Sequence, residues 1–317
     1  MNLKFRIVIE LFGEYLQARG LSKRTVKEYP LDAYKFLEFV EAESCFEIKS
    51  ITRKHIEAFH NYLLEKSHCG KPLSQGTLSK VIAILKAFFR FLYKTEKIYV
   101  DPSQHYDTPK RPKLLPKNIL ETWEIEKLLK QPDTSTLLGS RDLAMLELLY
   151  STGVRSSELR ELTIDKLYLK DRQIQVMGKG SKEALIPFGM RCLEALEHYF
   201  LFSRSAILRM NKGGPKYKGE ESKNLVFLSK NGNRINSVNL GDLIHKYAVK
   251  AEIEKKVTAH GLRHSCATHL LKNGADIRLI QKLLRHEDLN TTQIYTKVDI
   301  TDLKEAQKKY HPREKER

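Results

Sequence analysis

The chain has 317 residues, 56 of them Lys or Arg and 39 Asp or Glu, for a formal net charge of +17 at pH 7. That length suits two domains, each able to bury its own core, and the charge favours a polyanion, nucleic acid first, over any acidic partner. No run approaches the ~20 apolar residues of a membrane-spanning helix, the N-terminal MNLKFRIVIELFGEYL lacks a signal-peptide pattern, and Cys45, Cys69, Cys192 and Cys266 are too scattered for a disulfide framework or a zinc ribbon. The expected setting is the cytoplasm, with no membrane partner.

In chain order, the first hundred residues have helical periodicity, with amphipathic segments near 3–18, 22–41, 52–67 and 73–94. Ser22, Thr52 and Ser74 precede three of them as N-caps. The fourth segment interleaves Lys80, Lys86, Arg90 and Lys94 with an apolar stripe, so the helix presents either solvated lysines or direct DNA contacts. Residues 101–117, DPSQHYDTPKRPKLLPK, carry four of the ten prolines and a run of positive charge. Proline removes backbone donors and holds the chain extended, which marks this stretch as a basic linker. The expected organisation is a helical DNA-binding domain over 1–100, the linker over 101–117, and a second domain with a C-terminal tail over 118–317.

After the linker the pattern predicts helices near 122–130, 140–151 and 190–209. Residues 167–188 alternate as short strands, with a hairpin turn at Gly178-Lys179-Gly180-Ser181-Lys182. The expected class is mainly α with a small antiparallel β-sheet. Five places in this second domain carry chemistry. In Thr152-Gly153-Val154-Arg155-Ser156-Ser157-Glu158-Leu159, Gly153 closes one helix and the serines open the next, putting Arg155 at a helix N-terminus. There it either grips a phosphate bidentately or simply pairs with Glu158. Lys179, at the hairpin tip, can reach into a groove and give up a proton. No phosphate-cradling G-x-x-x-x-G-K-[ST] loop occurs.

Thr258-Ala259-His260-Gly261-Leu262-Arg263-His264 opens a helix that Thr258 caps and Gly274 ends. It puts His260 and Arg263 on one face and Leu262, Cys266 and Leu270 on another. A metal reading through His260 and His264 lacks the intervening glutamate of a metalloprotease helix, because position 261 is glycine. His286 follows an amphipathic helix over Ile277–Arg285, and Tyr295 lies in NTTQIYT. Taken singly, each of these residues has an ordinary structural explanation.

As an ordered set, Arg155, Lys179, His260-x-x-Arg263, His286 and Tyr295 closely resemble the tyrosine recombinase family, also called phage integrases. TGVRSSEL, GKGSKE, HGLRHSCATHLL, LLRH and TTQIYT are most similar to its Xer-type members, and the likeness extends to the N-terminal LSKRTVKEY and the terminal HPRE. The resemblance implies an N-terminal SAM-like core-binding domain and a C-terminal catalytic domain. It implies catalytic residues Arg155, Lys179, His260, Arg263 and His286 with Tyr295 as nucleophile, and a 3′-phosphotyrosyl link to double-stranded DNA formed without ATP, metal or other cofactor. It also implies a homo- or hetero-tetramer on DNA, a second recombinase or a regulatory protein as partner, and docking of Asp299–Arg317 on a neighbouring subunit.

An Xer-like role means chromosome dimer resolution and segregation; integrases of mobile elements and integrons share the same set. Rival classes are a type IB topoisomerase and a non-catalytic DNA-binding protein that keeps the fold. The sequence departs from the family's usual pattern in three places. Arg285 stands where glycine is common, Cys266 where a larger apolar residue is frequent, and residues 193–234, with MNKGGPKYKG, are long.

Overall fold

The structure, a computed structural model, describes residues 2–65, 67–68, 71–107, 119–177, 183–214, 219–285 and 300–314. The chain divides into two compact units, 1–114 and 115–317. Among the described residues no helix is long and apolar enough to cross a membrane.

The first unit contains α1 (Leu3–Ala18), α2 (Lys23–Ala42), α3 (Arg53–Glu65), the two-residue strands β1 (Ser67–His68) and β2 (Lys71–Pro72), and α4 (Gln75–Lys94). Ser22 and Ser74 cap α2 and α4 by accepting from the backbone N–H of Thr25 and Thr77, which satisfies donors a helix start otherwise leaves orphaned. Thr52 behaves differently. Its hydroxyl and N–H both meet Nδ1 of His55 at 3.0 Å, so a side chain one turn on closes this helix start. Phe5, Phe12, Phe36, Phe59, Phe88 and Phe89 fill the core. The rings of Phe12, Phe36, Phe59, Phe88 and Phe89 meet in pairs at centroid distances of 5.2–5.7 Å, largely edge to face, the arrangement that aromatic quadrupoles favour.

Lys80 pairs with Glu28 of α2 at 2.9 Å. Lys86, Arg90 and Lys94, spaced four apart, have no carboxylate partner among the described residues and leave a cationic stripe along α4. Residues 101–107 belong to the expected linker, yet they fold as turns: Asp101 accepts from the Ser103 hydroxyl and N–H, and buried Tyr106 meets His60 at 2.6 Å. A phenol with a partner to reach gains more from burial than a proline-flanked strand gains from extension. The remaining linker, 108–117, lies outside the described residues.

The second unit contains α5 (Thr122–Leu129), α6 (Leu137–Thr152), α7 (Ser156–Glu161), β3 (Leu167–Tyr168), β4 (Gln173–Met177), β5 (Glu183–Pro187), α8 (Met190–His198), α9 (Ser205–Asn211), α10 (Glu220–Lys223), α11 (Ser237–Lys250), α12 (Ala259–Lys272), α13 (Ile277–Leu284) and α14 (Ile300–Tyr310). The strands form one antiparallel sheet in the order β3-β4-β5, with Ile174 opposite Ile186 and Val176 opposite Ala184. The fold is therefore mainly α with a small antiparallel sheet. The Lys179 turn lies outside the described residues.

α6 is buried nearly all round, so each of its polar side chains must find a partner. Asp142 receives Arg141 at 2.6 Å and the Tyr247 hydroxyl at 2.9 Å, and Glu147 receives Arg313. The helix expected over 190–209 runs on to Asn211 but is interrupted by a π-helical turn, Tyr199–Arg204. The cause is tertiary: the buried Arg204 guanidinium donates to the carbonyls of Leu225 and Lys223, and the Tyr199 hydroxyl donates to that of Val226. Satisfying those carbonyls offsets the poorer helix geometry.

Residues 303–314 pack on their own unit. Gln307 donates to the Ser151 carbonyl at 2.8 Å, Glu314 accepts from the Met190 N–H at 2.6 Å, and His311 is fully enclosed, its pKa pushed down to about 4 by burial.

Candidate active site

Three of the six expected site residues are described; Lys179, His286 and Tyr295 lie outside the described residues. The framework is the junction where α6 ends, α7 begins, and α12 and α13 close over both. Gly153 ends α6 in the left-handed region at φ 60°. A Cβ there would stand 2.4 Å from Cδ2 of Leu284, 3.6 Å from Cγ of Arg263 and 3.7 Å from Sγ of Cys266, so both backbone and packing demand glycine. The same close approach gives Cys266 a place: it is wholly buried where α12 faces this turn.

Gly153→Ala is expected to cost roughly 2–3 kcal/mol and lower the melting temperature by about 5–10 °C. Calorimetry checks it, and an unchanged melting temperature would mean that the close approach carries no weight.

Arg263 is only 4 % exposed. Its Nη1 donates to the Gly153 carbonyl at 2.6 Å and its Nη2 to the Leu284 carbonyl, tying the ends of α6 and α13 together. Burial first, then the neighbouring charge of Arg155, pushes its pKa down to about 10, which leaves it a cation at neutral pH. The expectation that His260 and Arg263 share a face holds only in helical register. His260 is exposed, whereas Arg263 turns inward. His264, whose ring centroid lies 4.3 Å from that of His260, is half-buried, and burial lowers its pKa with help from His260 and Arg263. Among the described residues no third His, Cys, Asp or Glu joins this pair to make a metal-binding group.

Arg155 immediately precedes α7, with 44 % of its side chain exposed. Its Nη1 reaches Oε1 of Glu158 at 3.0 Å, and its backbone N–H donates to Oε2 at 2.8 Å. Arg285 also donates to Oε2, through Nη2 at 2.6 Å. Burial works to raise the pKa of Glu158, but the hydrogen bonds from Arg285 and Arg155 outweigh it and the net shift is downward. Glu158 is thus an anion wedged between two guanidiniums, with a third, Arg263, close enough to feel all of them. Three cations against one carboxylate leave a residual positive field, and Arg155 is the group best exposed to carry it to a ligand.

From the sequence alone Glu158 is only a competitor for Arg155, and Arg285 only a departure from the glycine common at its position. The signal for Glu158 was present in its three-residue spacing from Arg155. No local signal links Arg285 to Glu158, 127 positions away.

Comparison with known proteins follows the same division. The phage integrase family matches residues 118–301, and the N-terminal SAM-like domain of phage integrases matches residues 9–96. The tyrosine recombinase XerD of Listeria innocua is 40% identical over 296 residues, covering 93% of this chain and 95% of that protein. The XerD of Vibrio cholerae is 38% identical over 296 residues, 93% of this chain and 92% of that one. Among solved structures, the XerH site-specific recombinase bound to its difH substrate superposes with a TM-score of 0.65 at 23% identity, over 89% of this chain and 80% of that one. A lambda integrase dimer bound to a core site gives 0.64 at 17% identity, over 94% and 100%. Both are likenesses of fold.

Proposed function

Since the chain belongs to the phage integrase family and is a site-specific tyrosine recombinase of the Xer type, we propose that it cuts and rejoins double-stranded DNA through a phosphodiester bond to Tyr295. Attack on phosphorus builds negative charge on the two non-bridging oxygens, and fixed cations stabilise that transition state more than the ground state. Arg155 and Arg263 form the clamp. A phenol with an ordinary pKa near ~10 needs a proton acceptor as it attacks. His260, exposed at the start of α12, takes that proton, and His286 donates a hydrogen bond to a non-bridging oxygen. Lys179 protonates the departing 5′-oxygen.

The phosphate stays esterified throughout, as a 3′-phosphotyrosyl link, so the 5′-hydroxyl of a partner strand reverses the step without ATP or metal. Exchange between two duplexes calls for four subunits on DNA, of one kind or with a second recombinase. The similarity to XerD proteins favours a role in resolving chromosome dimers in the cytoplasm over movement of a mobile element. The observation that carries this reading is the junction of Arg155, Arg263 and Arg285 around one partly buried carboxylate, an electropositive site opposite in character to the acidic cluster a Mg2+ nuclease uses.

Incubation with a nicked duplex bearing the sequence the protein selects from a random pool is expected to give a protein–DNA adduct resistant to SDS. Binding to the same duplex is expected to weaken steeply with salt, as ion release from many phosphate contacts requires. Relaxation of supercoils irrespective of sequence and without strand exchange would point to a topoisomerase. Binding without any adduct would point to a non-catalytic protein.

A further inference from the structure

Arg285 occupies a backbone position that an arginine enters only at a cost. It follows the last residue of α13 at φ 53°, in the left-handed region that glycine adopts freely and other residues avoid. A side chain there must offset that strain with its contacts. Arg285 makes a specific one, the 2.6 Å bond from Nη2 to Glu158, with both side chains nearly enclosed at 13 % and 12 % exposure. Its Nε and Nη1 are buried and have no hydrogen-bond partner among the described residues. Its carbonyl lies 3.5 Å from Nη2 of Arg155. Arg285 therefore touches both members of the Arg155–Glu158 pair.

That geometry bears on a conflict within the site. Arg155 must turn its guanidinium to the phosphate, but in the free protein it is held by Glu158, and a nearly buried carboxylate resists losing its cation. Glu158 has two further partners, the backbone N–H of Arg155 and Nη2 of Arg285. Neither uses the Arg155 guanidinium, and Arg285 is the only charged one of the two.

We propose that Arg285 is a positioning residue for the cleavage step: it neutralises Glu158 in place of Arg155, so that Arg155 is free to bind the scissile phosphate. This rests on the recombinase reading above. It also fits the charge balance, because Arg155, Arg263 and Arg285 against Glu158 leave a formal surplus of two positive charges, matching the two negative charges of a phosphorane-like transition state. Without Arg285 the surplus is one, and Glu158 claims Arg155.

Arg285→Gly isolates the side chain's role, because glycine takes φ 53° without strain and the fold should be spared; a thermal melt confirms that it is. The full-length protein is assayed for single-turnover adduct formation, at saturating protein, on the nicked duplex selected by the wild-type chain. Arg285→Gly is expected to slow adduct formation about tenfold, and Arg285→Lys, which restores the charge, to recover most of the rate. In a Glu158→Gln background, where no anion competes for Arg155, adding Arg285→Gly is expected to change the rate less than twofold. A wild-type rate for Arg285→Gly overturns the inference alone. So does an equal tenfold loss in the Glu158→Gln background, which would mean that Arg285 acts on DNA directly. A wild-type chain that forms no adduct overturns the recombinase reading, and this inference with it.

Discussion

Tyr295→Phe is expected to bind the selected duplex with unchanged affinity and unchanged salt dependence, yet to form adduct at least ~10⁴-fold more slowly, below detection in an SDS gel. The substitution removes one oxygen and leaves the ring, so phosphate contacts, which dominate affinity, are untouched. The attacking atom itself is lost. Other tyrosines of the second unit are poor substitutes for a stated reason. Tyr150, Tyr199 and Tyr247 are buried, and burial pushes each phenol's pKa upward, away from the ionised form that attacks. The Tyr168 hydroxyl donates to Gln175 at 2.6 Å within the sheet. Tyr310 is half-buried at the end of α14, and it and Tyr217 are the residues to substitute next should Tyr295→Phe retain adduct.

Arg263→Ala is expected to fail in two separable ways. The guanidinium serves the carbonyls of Gly153 and Leu284 from a site only 4 % exposed, so its removal leaves two acceptors without a charged donor and opens a cavity, a loss of about 3–5 kcal/mol. Against this stands relief of repulsion from Arg155 and Arg285, a repulsion that adds to burial in lowering the pKa of Arg263 without deprotonating it at neutral pH. The hydrogen-bond loss is the larger effect, because buried acceptors cannot recruit water and like charges near a partly open site are screened. Where enough protein stays folded, cleavage should still fall about 10³-fold through loss of a fixed cation on the phosphate. Calorimetry and adduct kinetics test the two losses independently. A wild-type melting temperature would end the account of Arg263 as a tie between α6 and α13, and a wild-type rate would remove it from the phosphate clamp.

This double duty is only half visible in the sequence. In HGLRHSCATHLL, the periodicity and the Thr258 cap are settled by neighbours within one helical turn, and Thr258 does accept from the Gly261 N–H at 3.0 Å. Ser22, Ser74 and Gly153 were legible for the same reason. Thr52 departed because a histidine three residues on competed for the same groups. The π turn at Tyr199–Arg204 was illegible because its cause lies in carbonyls about twenty residues away.

The sequence by itself determined the mainly helical class, the small antiparallel sheet, and the ordered residues by which the family was named, since each depends on local periodicity, local caps or the order of residue types along the chain. Only the tertiary structure decided which charged side chains face water and which face carbonyls. Arg263 bonds to Gly153 across 110 positions and Arg285 to Glu158 across 127. Whether a guanidinium is a free cation or a structural tie depends on which buried acceptors the fold brings within about 3 Å, and residue spacing along the chain carries no record of that.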